Sequence, residues 1–154
     1  MDGAVPVFVA VLGTLLGSVA TYLFQLKSSK QAEDLAHQRQ LRSERMAIYS
    51  EFAGVVTEFR RCQYSRWHSD HGTPGGEGSA AVLEARRARG IAQHVGFRVQ
   101  LIASNPALIE STRSALEATA AMHRAVSVEQ LRARDDEAVR SLERFIVLAS
   151  GDVK

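Results

Sequence analysis

The residues best suited to chemistry lie close together near the middle of the chain. His68 and His71 flank Ser69 and Asp70, and the single cysteine, Cys62, precedes them by six residues. Imidazole nitrogens and a thiolate are ligands for transition metals such as zinc. Because no HExxH motif and no second cysteine accompany them, we predict no metal and no other cofactor. A small metal-binding helical protein that uses these residues stays an alternative hypothesis.

Other catalytic motifs do not occur in the sequence. It contains no glycine loop ending in GK[ST], no GxGxxG and no GxSxG. Cys62 lies among apolar positions without a neighbouring histidine in the sequence, which favours an inert buried thiol over a nucleophile. His94 and His123 fall on predicted helices, where we expect them at the edge of a core. We therefore predict no catalytic residue and no enzyme activity.

Arginine dominates the positive charge, with sixteen arginines against three lysines. Nine of the arginines fall in three segments that an antiparallel helical bundle brings to one end. A basic surface there predicts an acidic cytoplasmic protein as partner, whereas an aromatic content of only 6% disfavours nucleic acid. The alternative is a solvated arginine-rich surface without a partner. The predicted partner-binding residues are Arg60, Arg61, Arg66, Arg86, Arg87 and Arg89, and the other three are Arg124, Arg132 and Arg134.

The first element of the chain contains an uncharged run, residues 3–26. We predict that the segment 1–26 is a transmembrane helix. As a helix its 24 residues extend about 36 Å, more than the roughly 30 Å of a hydrocarbon core. Asp2 is the one charge before it, so the positive charge after it predicts a single pass of the inner membrane with the N-terminus outside. A cleaved signal peptide and a buried helix are the alternatives. The positive charges are Lys27, Lys30, Arg39, Arg42 and Arg45.

Small residues repeat at a spacing of four within this run. Gly13, Gly17 and Thr21 form an extended GxxxG pattern, which lets two helix backbones approach closely in a bilayer. We therefore predict self-association of the chain through this face. An alternative from another functional class is an oligomeric membrane effector or pore that is gated by the cytoplasmic part.

The remaining chain predicts helices only, so the fold class is all-α. One long helix continues from the span through a stalk or weak coiled coil, 27–45, into an antiparallel bundle, 46–150. The glycine-rich segment 68–79 predicts a flexible loop that interrupts the bundle. The predicted caps of the three later helices are Ser79, Asn105 with Pro106, and Ser127 with Gln130, and the predicted last residue is Gly151.

An acidic residue interrupts the apolar stripe of the last predicted helix. Asp135 follows Leu131 by four residues and precedes Ala138 by three, at helical spacing. A buried carboxylate needs a partner, and Arg124, Arg132 or His123 are plausible ones. We predict that Asp135 is a buried polar residue that fixes helix register.

One short motif follows the predicted stalk. Arg42-Ser-Glu-Arg45, followed by Tyr49 and Phe52, has the form RxERxxxYxxF. Together with the charge-free first segment and the basic, glutamine-rich stretch, it resembles a broad group of small single-span membrane proteins of GC-rich bacteria with a cytoplasmic helical tail. The resemblance covers residues 1–60 and implies a membrane anchor and a helical tail, but no activity.

Overall fold

The computed structural model describes the backbone of residues 4–72 and 77–153 and the side chains of residues 35–71 and 80–153. Its backbone is helical almost throughout these ranges and contains no strand, which confirms the predicted all-α class. The elements are α1 (Ala4–Gly72), α2 (Glu77–Ile102), α3 (Pro106–Ala121), a short 3-10 turn (Met122–Arg124) and α4 (Val128–Asp152). The chain divides into two compact units, Met1–Leu41 and Arg42–Lys154.

In the first unit, the side chains of residues 35–41 are described, and all of them are exposed. The predicted span and its GxxxG residues, Gly13, Gly17 and Thr21, lie outside the residues with described side chains. Within the described residues, no helix has a stretch long and apolar enough to cross a bilayer.

The predicted loop 68–79 is wrong at both of its ends. α1 continues through His68 and His71 to Gly72, and α2 already begins at Glu77, so Ser79 lies inside the helix rather than at its cap. The imidazole Nδ1 atoms of His68 and His71 lie 3.0 and 2.9 Å from the carbonyl oxygens four residues earlier. These contacts support the last turn of α1 where composition alone indicates a break.

The capping residues of the last two helices are confirmed. The Asn105 side chain accepts a hydrogen bond from the Ala107 amide at 2.9 Å, and Pro106 occupies the first turn of α3. The Ser127 hydroxyl accepts a hydrogen bond from the Gln130 amide at 3.2 Å. Each interaction satisfies an amide that has no partner within its own helix. α4 ends one residue after the predicted Gly151.

The second unit is built on the buried face of α1. Phe52 is completely buried and packs against Phe145 of α4, with ring centroids 4.6 Å apart and the planes tilted by 55°. All four helices contribute to this core, including Val95 of α2 and Leu108 of α3. A smaller cluster forms around Trp67 near the end of α1. Helices from 16 to 69 residues long thus share one core, as the predicted bundle requires.

α2 approaches α1 and α3 closely at a glycine. A Cβ atom on Gly96 would lie 3.2 Å from Leu116 Cδ1 and 3.4 Å from Phe52 Cε2. Gly90, two turns earlier, has no atom within 4 Å of the equivalent position. Gly96 therefore permits α2 to pack closely against α1 and α3, whereas Gly90 has no packing role within the bundle.

These environments predict opposite effects of substitution on the free energy of unfolding. Gly96→Leu should destabilise the full chain by about 1–3 kcal/mol, because a large side chain overpacks the core. Gly90→Ala should stabilise it by up to about 1 kcal/mol, because alanine is the better helix former in open space. Urea unfolding in detergent micelles, followed by the fluorescence of the single tryptophan, Trp67, measures both. A Gly96→Leu chain as stable as the wild type would contradict this packing.

Candidate functional site

The predicted convergence of three arginine-bearing segments occurs in the structure. Trp67 Nε1 near the end of α1 donates a hydrogen bond to the Ala125 carbonyl at 2.7 Å, which joins α1 to the turn before α4. The Arg61 Nη2 atom lies 3.4 Å from Glu84 Oε1 at the start of α2. We call this region, formed by residues 58–71, 80–90 and 120–135, the basic end of the bundle.

Four of the nine arginines at the basic end are engaged. Arg60 pairs with Asp135, and Arg66 pairs with Asp70. Arg61 donates to both carboxylate oxygens of Glu58, which lowers the pKa of Glu58 and raises that of Arg61. The fourth, Arg134, donates to the Ala121 carbonyl at 2.7 Å. The predicted partner-binding set therefore contains three arginines whose charge is already compensated within the chain.

The other five arginines at the basic end are exposed, and they form no ion pair with any residue whose side chain is described. They are Arg86, Arg87 and Arg89 on α2, with Arg124 and Arg132 beside the α3–α4 turn. Unpaired guanidinium groups on one surface attract carboxylates or phosphates, and they bind them in a planar, two-pronged geometry. The charge available to a partner is consequently concentrated on α2 and on that turn.

Asp135 connects two helices but differs from its prediction in partner and burial. Its carboxylate accepts a hydrogen bond from Arg60 Nη1 at 2.7 Å, so the partner lies on α1 and is none of Arg124, Arg132 or His123. The Asp135 side chain is 27% exposed, because the buried stripe of α4 runs through Leu131 and Ala138 and passes to one side of it. The ion pair at the margin of the core is consistent with a register role.

A polar cluster lies inside the basic end. The buried Gln63 amide donates to the Ala120 carbonyl at 3.2 Å and lies 3.4 Å from His123 Nδ1. Burial lowers the pKa of His123, and the charges of Arg66, Arg124 and Arg89 lower it further, against an opposing hydrogen bond to Ala120. Both effects disfavour the imidazolium ion, so the neutral ring is the form that the folded structure accommodates.

The potential metal ligands at this end do not include the predicted pair of histidines. Among the described side chains, one group of three residues has potential metal-ligand atoms that all lie within 4.8 Å of one another. It consists of Glu58, Cys62 and Glu84. Arg61 contacts both of these carboxylates and supplies the positive charge there. Burial raises the pKa of the Cys62 thiol, and the two glutamates raise it further. A protonated, buried thiol is a poor nucleophile and a poor ligand.

The two histidines of the predicted metal alternative stack on aromatic rings instead. His71 lies parallel to Trp67 with ring centroids 4.2 Å apart, and His68 lies 4.4 Å from Tyr64. Each ring also contacts a backbone carbonyl of α1. In the described part of the chain these residues therefore support the end of α1 and do not converge with Cys62.

The opposite end of the bundle holds a polar cluster that the sequence analysis did not predict. Arg45 donates to the Ile102 carbonyl at 3.2 Å, to the Asp152 carbonyl at 3.3 Å and to the Ser104 hydroxyl. Tyr49 donates to Asp152 Oδ2 at 2.6 Å. Burial, followed by this hydrogen bond, raises the pKa of Tyr49, so its hydroxyl remains a donor. The motif RxERxxxYxxF contains Arg45, Tyr49 and the core residue Phe52, and was therefore the available signal.

The contacts of Arg45 place it in the bundle, so the predicted boundary between the stalk and the bundle lies too far along the chain. It was assigned to the stalk, 27–45, but it is hydrogen-bonded to the ends of α2 and α4, and the compact unit begins at Arg42. The physical reason is that the apolar pattern alone located the start of the bundle. A polar residue that binds backbone carbonyls lies outside such a pattern.

Comparison with known proteins gives one family match. The model of the family described as KilB plasmid transfer protein matches residues 46–153, which is most of the second compact unit. No curated protein and no solved structure matches the chain.

The cluster around Asp152 predicts a measurable contribution of one hydroxyl group. Tyr49→Phe should destabilise the full chain by about 1–2 kcal/mol, because it removes a hydrogen bond to a carboxylate that is shielded from water. The matched control is Tyr64→Phe, since Tyr64 is 44% exposed and its hydroxyl makes no hydrogen bond to the described residues. Equal unfolding midpoints for Tyr49→Phe and Tyr64→Phe in urea would contradict this role.

The environment of His123 predicts a pH dependence of stability. Its pKa is lower in the folded chain than the usual 6.5, so the unfolded chain binds a proton first as the pH falls. The free energy of unfolding should therefore decrease below about pH 6.5, and His123→Gln should reduce that decrease. Urea unfolding of both chains at about pH 7.5 and about pH 5.5 measures the difference. An identical pH dependence in the two chains would refute it.

Proposed function

The chain belongs to the KilB plasmid transfer protein family, and on this basis we propose that it is a membrane-anchored helical interaction module of plasmid transfer. The family match over residues 46–153 carries the proposal, because the matched residues form nearly all of the compact helical unit. A bundle of this kind presents several helix faces to partner proteins, and in this chain it contains no cofactor-binding motif.

Membrane anchoring is supported by the sequence of the first unit. The 24 uncharged residues, 3–26, are sufficient for a span, and the five positive charges that follow favour a cytoplasmic location for the helical bundle. Gly13, Gly17 and Thr21 support self-association of the span. An anchored, self-associating chain would hold several copies of the bundle side by side at the membrane, which raises the effective concentration of their binding surfaces.

We propose binding rather than catalysis because the reactive side chains of the bundle are engaged in structural contacts. Cys62 is buried with a raised pKa, and His68 and His71 are packed on the aromatic rings of α1. The unpaired arginines at the basic end instead support an acidic protein partner in the cytoplasm.

A transfer experiment tests the role and the anchor separately. In a host that carries a conjugative plasmid lacking the gene for this chain, transfer frequency should fall by about tenfold or more, and the full chain should restore it. A chain that begins at residue 27 should fold but not restore transfer, because it lacks the anchor. Unchanged transfer without the chain would refute the role, and restoration by the shortened chain would refute the anchor.

A matched pair of variants tests self-association in the same experiment. Gly13→Ile with Gly17→Ile should reduce both transfer and crosslinking between copies in intact membranes, because branched side chains keep two helices apart. Thr14→Ile with Ser18→Ile places the same side chains on the adjacent face and should leave both unchanged. If the two pairs behave alike, the GxxxG face is not the contact.

A further inference from the structure

The outward face of α2 exposes large apolar side chains in a regular pattern. Leu83 is 50% exposed, Phe97 is 61% exposed and Leu101 is 87% exposed. They belong to one stripe with steps of four and three residues, which places its members on the same side of a helix. We call this stripe the α2 outward face, and its members, all exposed, are Leu83, Arg87, Gly90, His94, Phe97 and Leu101.

The charge along α2 is strongly one-sided. Residues 80–102 contain four arginines and only one acidic residue, Glu84, which pairs with Arg61 of α1. Arg98 is also engaged, since it binds Glu51 at 2.6 Å. Three arginines then remain without an ion pair to the described residues. They are Arg86, Arg87 and Arg89, all within or beside the α2 outward face.

Gly90 lies at the centre of this face and lacks a role in the bundle. A Cβ atom there would meet nothing within 4 Å, and glycine inside a helix lowers its stability relative to alanine. A glycine on a helix surface allows the backbone of another helix to approach closely. Arg89 and Phe97 also line a groove of about 260 Å³ that α3 borders with Arg113 and Glu117, so charged and apolar groups adjoin the same depression.

We propose that the α2 outward face binds an acidic amphipathic helix of a partner protein. The apolar positions of that helix cover Leu83, Phe97 and Leu101, and its carboxylates pair with Arg86, Arg87 and Arg89. Charge complementarity supplies orientation and the apolar contacts supply most of the affinity. The inference rests on the proposed function and specifies the kind of protein that the bundle binds.

Other occupants fit this face less well. A second copy would bring six arginines together, and the one acidic residue among residues 80–102 of each copy, Glu84, already pairs with Arg61. DNA would neutralise the arginines through its phosphates but would leave Phe97 and Leu101 in water. A bilayer surface favours a continuous apolar strip, whereas Arg87 and His94 interrupt this one.

The outward face of α4 provides a matched comparison on the same bundle. It also exposes an apolar residue, Val147 at 69%, but its charges alternate in sign and include the pair of Arg140 with Glu137 at 2.8 Å. Arg144 on this face is exposed as well. Substitutions on α4 therefore remove the same side-chain types from a face without excess positive charge.

Designed peptides test the proposal on the full chain in detergent micelles. The probe is a fluorescent helical peptide of about 21 residues with leucine at the a and d positions and glutamate at e and g. We expect saturable binding by fluorescence anisotropy. A peptide with lysine in place of glutamate, and one with serine in place of leucine, should each bind at least about tenfold more weakly.

Three double variants locate the contact. Phe97→Ser with Leu101→Ser, and separately Arg86→Glu with Arg87→Glu, should each weaken binding of the acidic peptide by about tenfold or more. Arg144→Glu with Val147→Ser on α4 should leave it unchanged. Urea unfolding of each variant verifies that all three have folded. No binding of the acidic peptide, or equal losses on α2 and α4, would overturn the proposal.

Further outcomes distinguish an acidic helix from DNA, a lipid surface or a second copy. They also distinguish failure of this inference from failure of the proposed function. If the α2 variants lose binding to duplex DNA or to phosphatidylglycerol vesicles while they retain the peptide, the face binds phosphate groups and the proposal is wrong. A change in oligomeric state in the Phe97 and Leu101 variant would assign the face to a second copy and would also overturn it. If the chain is required for transfer but the peptide does not bind, the proposed function stands and only this inference fails.

Discussion

The meeting of three helices at Phe52 is the contact on which the compact unit depends. Its ring is completely buried and packs on Phe145 of α4, and on the α2 side a Cβ atom on Gly96 would lie 3.4 Å from it. Such aromatic pairs contribute about 0.5–1.5 kcal/mol beyond the area they bury. One side chain of α1 therefore lies against both α2 and α4, and α3 joins the same core through Leu108.

α1 also satisfies the ends of the helices that pack on it. The last carbonyl groups of a helix have no partner within the helix. Arg45 donates to carbonyl oxygens at the ends of α2 and α4, and Gln63 and Trp67 donate to carbonyls at the end of α3 and in the turn after it. The positive charge of Arg45 also suits the negative end of a helix dipole. One helix thus supplies both the apolar face and the polar groups that terminate its neighbours.

The sequence predicted what is local and missed what depends on pairing across helices. Asn105 and Ser127 predicted the starts of their helices correctly, because a capping side chain accepts a hydrogen bond from a backbone amide only two or three residues later. The helical spacing of Phe52 and Val56 likewise predicted a buried face. By contrast, the contacts of Arg45 with the carbonyl oxygens at the ends of α2 and α4 join residues 57 and 107 positions apart, and no local pattern predicts them. The break predicted at His68 was wrong for a local reason: composition does not show that two imidazoles contact carbonyls of the preceding turn.

The sequence predicted where the candidate site lies, but not which of its arginines are paired with acidic residues. Alternating helix directions were enough to bring nine arginines to one end. Which of them are paired depends on local contacts, Arg61 with Glu58 and Arg66 with Asp70, and on contacts between residues far apart in the chain, such as Arg60 with Asp135. Helical spacing predicts the local pairs but not the distant ones. The available positive charge therefore lies on α2 and beside the α3–α4 turn, and not at the end of α1, where three of the nine arginines are paired.

The apolar side chains of α2 are divided between the core and the surface that carries the unpaired arginines. Towards the core, this helix presents alanines such as Ala85 and Ala92 beside Gly96, and it turns Phe97 and Leu101 away from the core. Together with the buried Val95 and Val99, these small residues form the core side of α2, so Phe97 and Leu101 contribute nothing to the core. Those side chains keep their apolar area in contact with water next to Arg86, Arg87 and Arg89, which form no ion pair with any described side chain. A single partner whose surface is apolar and acidic would remove this apolar area from water and would pair its carboxylates with the arginines.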